Sequence, residues 1–88
     1  MPSDAATHIG ALISAERLRI GMTQDQLAAA SGIDSSNIRA YENGRAMPSI
    51  QTLVRLAEGL GGSPAELLVG LRSDMFPVAL EDRRRRAG

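Results

Sequence analysis

Apolar residues recur at three- and four-residue spacing along most of this chain, and no stretch alternates as a half-buried strand would. Ile9, Leu12, Ile13 and Ile20 mark one stripe of a first helix over about residues 4–20. Glu16 falls on the same stripe, so it must sit at the stripe's edge or find an Arg partner. Gly21 ends that helix. Thr23 and Gln26 then form a capping box, each side chain satisfying an orphan N–H of the first turn, for a second helix over about 23–31. Leu27, Ala28 and Ala30 should pack inward, and Gly32 supplies the left-handed residue that a helix end favours. Asp34 caps a third helix over about 35–43, with Ile38 and Tyr41 inward and Ser35, Ser36, Arg39 and Asn43 outward.

Downstream the pattern repeats. Ser49 caps a fourth helix carrying Ile50, Leu53, Leu56, Ala57 and Leu60, which Gly61 and Gly62 break. Ser63-Pro64-Ala65-Glu66 joins an N-cap Ser, a Pro at the first helical position and a Glu three residues after the cap, so a fifth helix holding Leu67, Leu68 and Leu71 is predicted. The expected fold is all-α, five short helices around one core.

Composition narrows the function classes. With 88 residues there is room for one small core, and 43% apolar content with only one Phe, one Tyr and no Trp makes that core thin and aliphatic. Cysteine is absent, which removes disulfides, thiolate chemistry and Cys-based zinc sites. His8 stands alone, without the further ligands a metal site needs, and reads as a surface histidine. The carboxylates show no acid/base pairing, and Ser35, Ser36 and Ser73 lack a His partner, so an enzyme is not expected. The start of the chain has no basic region followed by an apolar run, and no apolar run approaches the ~20 residues of a membrane span. A cytoplasmic protein with no cofactor, no metal and no membrane is the expectation.

The second helix, its Gly-containing turn and the third helix, T-Q-D-Q-L-A-A-A-S, G-I-D and S-S-N-I-R-A-Y-E-N-G, form a helix-turn-helix unit. They closely resemble the Cro and phage-repressor type of helix-turn-helix regulator. The resemblance covers about residues 8–71 and includes G-M-T-Q-D-Q-L-A, the turn at Gly32-Ile33, I-R-A-Y-E-N-G-R, Pro48-Ser49 and L-V-R-L-A-E-G-L. It implies a compact five-helix lambda-repressor-like DNA-binding domain over residues 1–71, with residues 72–88 as a C-terminal extension.

That resemblance also implies site residues. Ser35, Ser36, Asn37 and Arg39 fall where members read base edges from the third helix in the major groove. Arg39 is the strongest reader, because a guanidinium can bond guanine O6 and N7 together. Gln24, at the start of the second helix, would bind a phosphate where free N–H groups and the helix dipole favour an anion. Asn43 and Arg45 would hold the backbone on the far side, and Arg17 and Glu42 match a structural salt bridge between the first and third helices.

Charge complicates the picture. Ten basic and ten acidic residues give no net charge, and the balance is uneven. Residues 1–71 carry five Arg against seven carboxylates, whereas residues 72–88 carry five Arg against three. Counterion release should therefore contribute little, and neutral donors such as Gln24 and Asn43 gain importance. A weakly binding monomer then calls for a homodimer on two half-sites. Leu68, Leu71, Met75, Phe76, Val78 and Leu80 are too apolar for a free coil and are assigned to a dimer interface, although they could instead cap their own domain. Arg83–Arg86 reads as a solvated terminal charge block, with further phosphate contacts as the alternative. The expected function is a sequence-specific transcriptional regulator of double-stranded DNA on a palindromic operator, located at the nucleoid. The alternatives are an antitoxin-like autoregulator whose tail binds a protein partner, or an adaptor that keeps the fold without DNA affinity.

Overall fold

The computed structural model describes residues 3–77, and within them the chain forms four α-helices and two 3-10 turns. The helices are α1 (Asp4–Arg19), α2 (Gln24–Ser31), α3 (Ser35–Glu42) and α4 (Ile50–Gly59). Each begins where a side chain replaces a missing backbone partner: Ser3 accepts from the Ala6 amide, Thr23 from Gln26, Asp34 from Ser36 and Ser49 from Thr52. The capping box at Thr23 and Gln26 is complete in both directions.

One fully buried residue from each helix and from the first 3-10 turn meets at the centre. Ile13 of α1, Leu27 of α2, Ile38 of α3, Leu56 of α4 and Leu67 of the first 3-10 turn are all fully buried, with Ile9, Leu53, Ala57 and Leu60 packed around them. At roughly 1.5–3 kcal/mol for each large apolar side chain, this cluster is the main favourable term holding the helices together. α1 crosses α3 and α2 crosses α4, so that α2 and α3 are presented as a pair on a two-helix support.

Two glycines permit these crossings. An added Cβ on Gly10 would lie 2.1 Å from the Tyr41 carbonyl oxygen, so α1 touches the backbone of α3 there. At Gly59 a Cβ would stand 3.1 Å from Ser31, where α4 passes the end of α2. Ser31 itself belongs to the turn: its Oγ donates to the Leu27 carbonyl and accepts from the Ile33 amide.

Several expectations are corrected. The fifth helix is instead a 3-10 turn, Pro64–Leu67. Its start has the expected capping box, but Gly70 takes the left-handed conformation (φ 78°) and His8 Nε2 donates to the Val69 carbonyl at 2.6 Å. The chain is thereby drawn back along α1 before a second turn can form. Ile20 is 40% exposed because the helix has already ended at Arg19, and Ile50, the first residue of α4, is 74% exposed ahead of the core. Ala30 faces solvent, since α2 turns Leu27, Ala28 and Ser31 toward its neighbours. Glu16 does find an Arg partner, Arg19, on the surface. His8 is half-buried and serves as a clasp for residues 69–70.

Candidate nucleic-acid interface

α3 is eight residues long and exposes one polar face. Ser36, Arg39 and Asn43 are exposed on it, Ser35 is half-buried beside them, Asn37 is exposed but lies round the helix from Arg39, and Arg45 is exposed in the loop just beyond. Ile38 occupies the opposite face, fully buried, and Tyr41 packs against the core. The separation follows from the helical period alone: residues 35, 36, 39 and 43 share a side that 38 and 41 do not.

The turn fixes the relation between α2 and α3. Gly32 holds φ 73°, a conformation costly for any residue with a Cβ, and its amide closes α2 on the Ala28 carbonyl. Two residues later Asp34 opens α3.

Beneath the polar face, Arg17 and Glu42 form a bidentate pair, Nε to Oε2 at 2.7 Å and Nη2 to Oε1 at 2.9 Å. The third guanidinium nitrogen, Nη1, donates to the Met22 carbonyl at 2.8 Å. Arg17 therefore ties α1 to both the chain entering α2 and the end of α3. The side chains are only 12% and 5% exposed, so water screens this pair weakly. Burial pushes the Glu42 carboxyl up. Hydrogen bonds from Arg17 and Gln24, the charge of Arg17 and a bond from Ser14 outweigh it and hold the group below its ordinary value. The same hydrogen bond to Glu42 raises the Arg17 guanidinium further above neutrality.

Gln24 belongs to this network. Its Nε2 donates to Glu42 Oε1 at 3.1 Å, which fixes the carboxamide at the start of α2 and leaves a second N–H to donate outward. The sequence signals placed Gln24 at the helix N-terminus but gave no sign of this anchoring contact.

Outside the polar face, Leu68 and Leu71 are half-buried against the domain's own core, Met75 is half-buried and Phe76 is partly exposed. Val69, which the sequence reading passed over, is 62% exposed beside them. Val78, Leu80 and Arg83–Arg86 lie outside the described residues. No helix among the described residues is long and apolar enough to cross a membrane.

Comparison with known proteins places this arrangement. The helix-turn-helix family model matches residues 13–67, which takes in α2, α3, α4 and the first 3-10 turn. An uncharacterized HTH-type transcriptional regulator, y4dJ of Sinorhizobium fredii, is 35% identical over 60 residues, spanning 68% of this chain and 78% of the relative. The crystal structure of the restriction-modification controller protein C.AhdI from Aeromonas hydrophila is similar with a TM-score of 0.69 and 31% identity, over 70% of this chain and 94% of that one. The clp gene regulator ClgR from C. glutamicum gives a TM-score of 0.70 at 29% identity, over 74% and 84% of the two chains.

Proposed function

The chain belongs to the helix-turn-helix family, and from that premise we propose that it is a DNA-binding transcriptional regulator reading a palindromic operator as a homodimer. The observation that carries this reading is the exposed polar face of α3 on a buried aliphatic core, held by the Arg17–Glu42 pair, in a chain similar to named transcriptional regulators. α3 enters the major groove, with Ser35, Ser36, Asn37 and Arg39 at base edges and Arg39 over a guanine. Gln24, held by Glu42, donates its remaining N–H to a phosphate, and Asn43 and Arg45 contact the backbone on the other side.

Residues 1–71 act as the DNA-binding module, and the apolar residues from Leu68 to Phe76, with Val69, supply the contact between protomers. The near-neutral charge of the module supports the dimer: one protomer neutralises few phosphates, and two half-sites roughly double the binding free energy before the cost of association. Selection of bound duplexes from a randomised library at low and moderate salt tests this. Enrichment of a palindrome with half-site centres about one helical turn apart is expected. No enrichment at either salt refutes the reading and turns attention to a protein partner of the C-terminal segment.

A further inference from the structure

α1, α3 and α4 end in the same way. Just past each lies a left-handed glycine, Gly21, Gly44 and Gly61, with φ of 71°, 72° and 75°. The glycine amide and the next amide bond back to carbonyls of the final turn: Gly21 to Leu18 and Met22 to Arg17, Gly44 to Tyr41 and Arg45 to Ala40, Gly61 to Glu58 and Gly62 to Ala57. The surroundings differ. A Cβ on Gly21 or Gly61 would meet nothing within 4 Å, whereas one on Gly44 would lie 2.8 Å from Thr7 Oγ1 and 3.1 Å from Thr7 Cα. Gly44 is buried, and the residues on either side of it, Asn43 and Arg45, are exposed. Reversing the chain accounts for a glycine at each end. It does not account for the close approach to α1 at the end of α3.

We infer that Gly44 is a positioning residue for phosphate binding: seated without a side chain against Thr7 of α1, it holds Asn43 and Arg45 on the outward side of the loop, where they meet the DNA backbone. The inference rests on the DNA-binding reading given above and adds α1 to the parts that set the phosphate contacts. α1 meets the end of α3 at Thr7 against Gly44, at Gly10 against the Tyr41 carbonyl and at Arg17 against Glu42. These three positions are one and two turns apart along α1, so the last turn of α3 and the loop beyond it are fixed together. A main chain already held in place leaves only the side-chain ordering cost when Arg45 takes a phosphate. That contact matters here, because residues 1–71 carry only five Arg against seven carboxylates and each neutralised phosphate is a large share of the ionic attraction. With a side chain at position 44, the loop must lift off α1, since the Thr7 main chain has no rotamer by which to yield.

The test compares the wild type with Gly44→Asn, Gly61→Asn, Arg45→Ala and the double variant changed at 44 and 45. Affinity for selected and scrambled duplexes is measured by anisotropy across a salt series. Asn enters the left-handed conformation more readily than most residues with a Cβ, so Gly61→Asn carries the same backbone cost without the collision. Gly44→Asn should weaken binding to both duplexes about tenfold, keep the base preference, and reduce the slope of log affinity against log salt by about 1 per protomer. Gly61→Asn should keep the wild-type slope. Arg45→Ala should reproduce the Gly44→Asn losses, and the double variant should bind little more weakly than Arg45→Ala alone. Weaker binding at an unchanged slope, the same slope change in Gly61→Asn, or additive losses in the double variant would overturn the inference while leaving the regulator reading intact. Failure of the wild type to bind any selected duplex would overturn both. Circular dichroism checks that each variant is helical. Should Gly44→Asn not fold, amide exchange in the wild type carries the test. The Arg45 amide should be better protected than that of Gly62, which makes the same bond at the open end of α4, and equal protection would overturn the inference.

Discussion

Gly10 offers the sharpest test of how α3 is supported. It lies inside α1, where alanine is preferred to glycine by about 1 kcal/mol on helix propensity alone. Considered as an isolated helix, Gly10→Ala would stabilise the protein. The packed structure reverses that sign. The new Cβ would stand 2.1 Å from the Tyr41 carbonyl oxygen and 3.1 Å from that of Glu42, whereas ordinary contacts begin at 3.4 Å. The obstacle is backbone in the last turn of α3, so no rotamer change relieves it. α1 and α3 must separate by about 1 Å, loosening Ile9, Ile13 and Ile38, and overpacking of this kind costs roughly 1–3 kcal/mol. Because the collision is with main chain, the upper end applies, leaving a net loss of about 2 kcal/mol after the propensity gain.

For a domain of this size, with total stability of about 4–11 kcal/mol, that is a large fraction. It corresponds to a fall in melting temperature of about 8–16 °C. Urea unfolding followed by helical circular dichroism measures it, with a lower midpoint and an unchanged slope expected. Gly59→Ala, whose Cβ would meet the Ser31 side chain and backbone at 3.1–3.2 Å, should cost less. A midpoint for Gly10→Ala equal to or above the wild type would refute the close crossing of α1 and α3.

Other expectations follow from the same geometry. Glu42→Ala strips the partner from a guanidinium only 12% exposed and should cost about 3 kcal/mol, read as a lowered urea midpoint. The Glu42 carboxyl titrates below its ordinary value of 4.5 in the folded chain, so its contribution is complete above that pH and is lost as pH falls through the folded value; Glu42→Gln should flatten this part of the acid-unfolding curve, and an unchanged curve contradicts the pairing. Arg39→Ala should cost about 1–3 kcal/mol of specific binding with helical content unchanged, measured by anisotropy against selected and scrambled duplexes; equal losses on both would place Arg39 on phosphates. His8→Ala should release residues 69–71, seen as faster amide exchange at Leu71, while global stability falls little; unaltered exchange there would remove the clasp.

Most of the fold was legible because its signals are local. Ser3 apart, the caps, the glycine stops and the central residues Ile13, Leu27, Ile38, Leu56 and Leu67 are written in three- and four-residue spacing, and the helix bounds follow from them. Ends of elements were less legible. Ile20 and Ile50 continue the apolar stripes of α1 and α4 in register, but each lies where no neighbouring element covers it. The 3-10 turn at Pro64–Leu67 carries every helix-start signal, and it is followed at once by the left-handed Gly70 and by a contact of Val69 with His8, sixty-one residues away. Gly10 did carry a signal, since a glycine in a helix interior is costly and usually has a packing reason, but its partner on α3 is visible only in three dimensions. The same holds at the interface: spacing gives the polar face of α3, while the anchoring of Gln24 by Glu42 depends on side-chain geometry.

The central claim, that α3 is the surface that meets DNA, is tested most directly by titrating the isotopically labelled protein with a selected duplex and following its backbone amides by NMR. The account predicts that the largest shifts fall at Gln24, at residues 34–39 and at residues 43–45, with the amides around Val69 and Phe76 responding only through dimerisation. Shifts concentrated on the segment from Leu68 to Phe76, with the amides of Ser36, Asn37 and Arg39 unmoved, would contradict it.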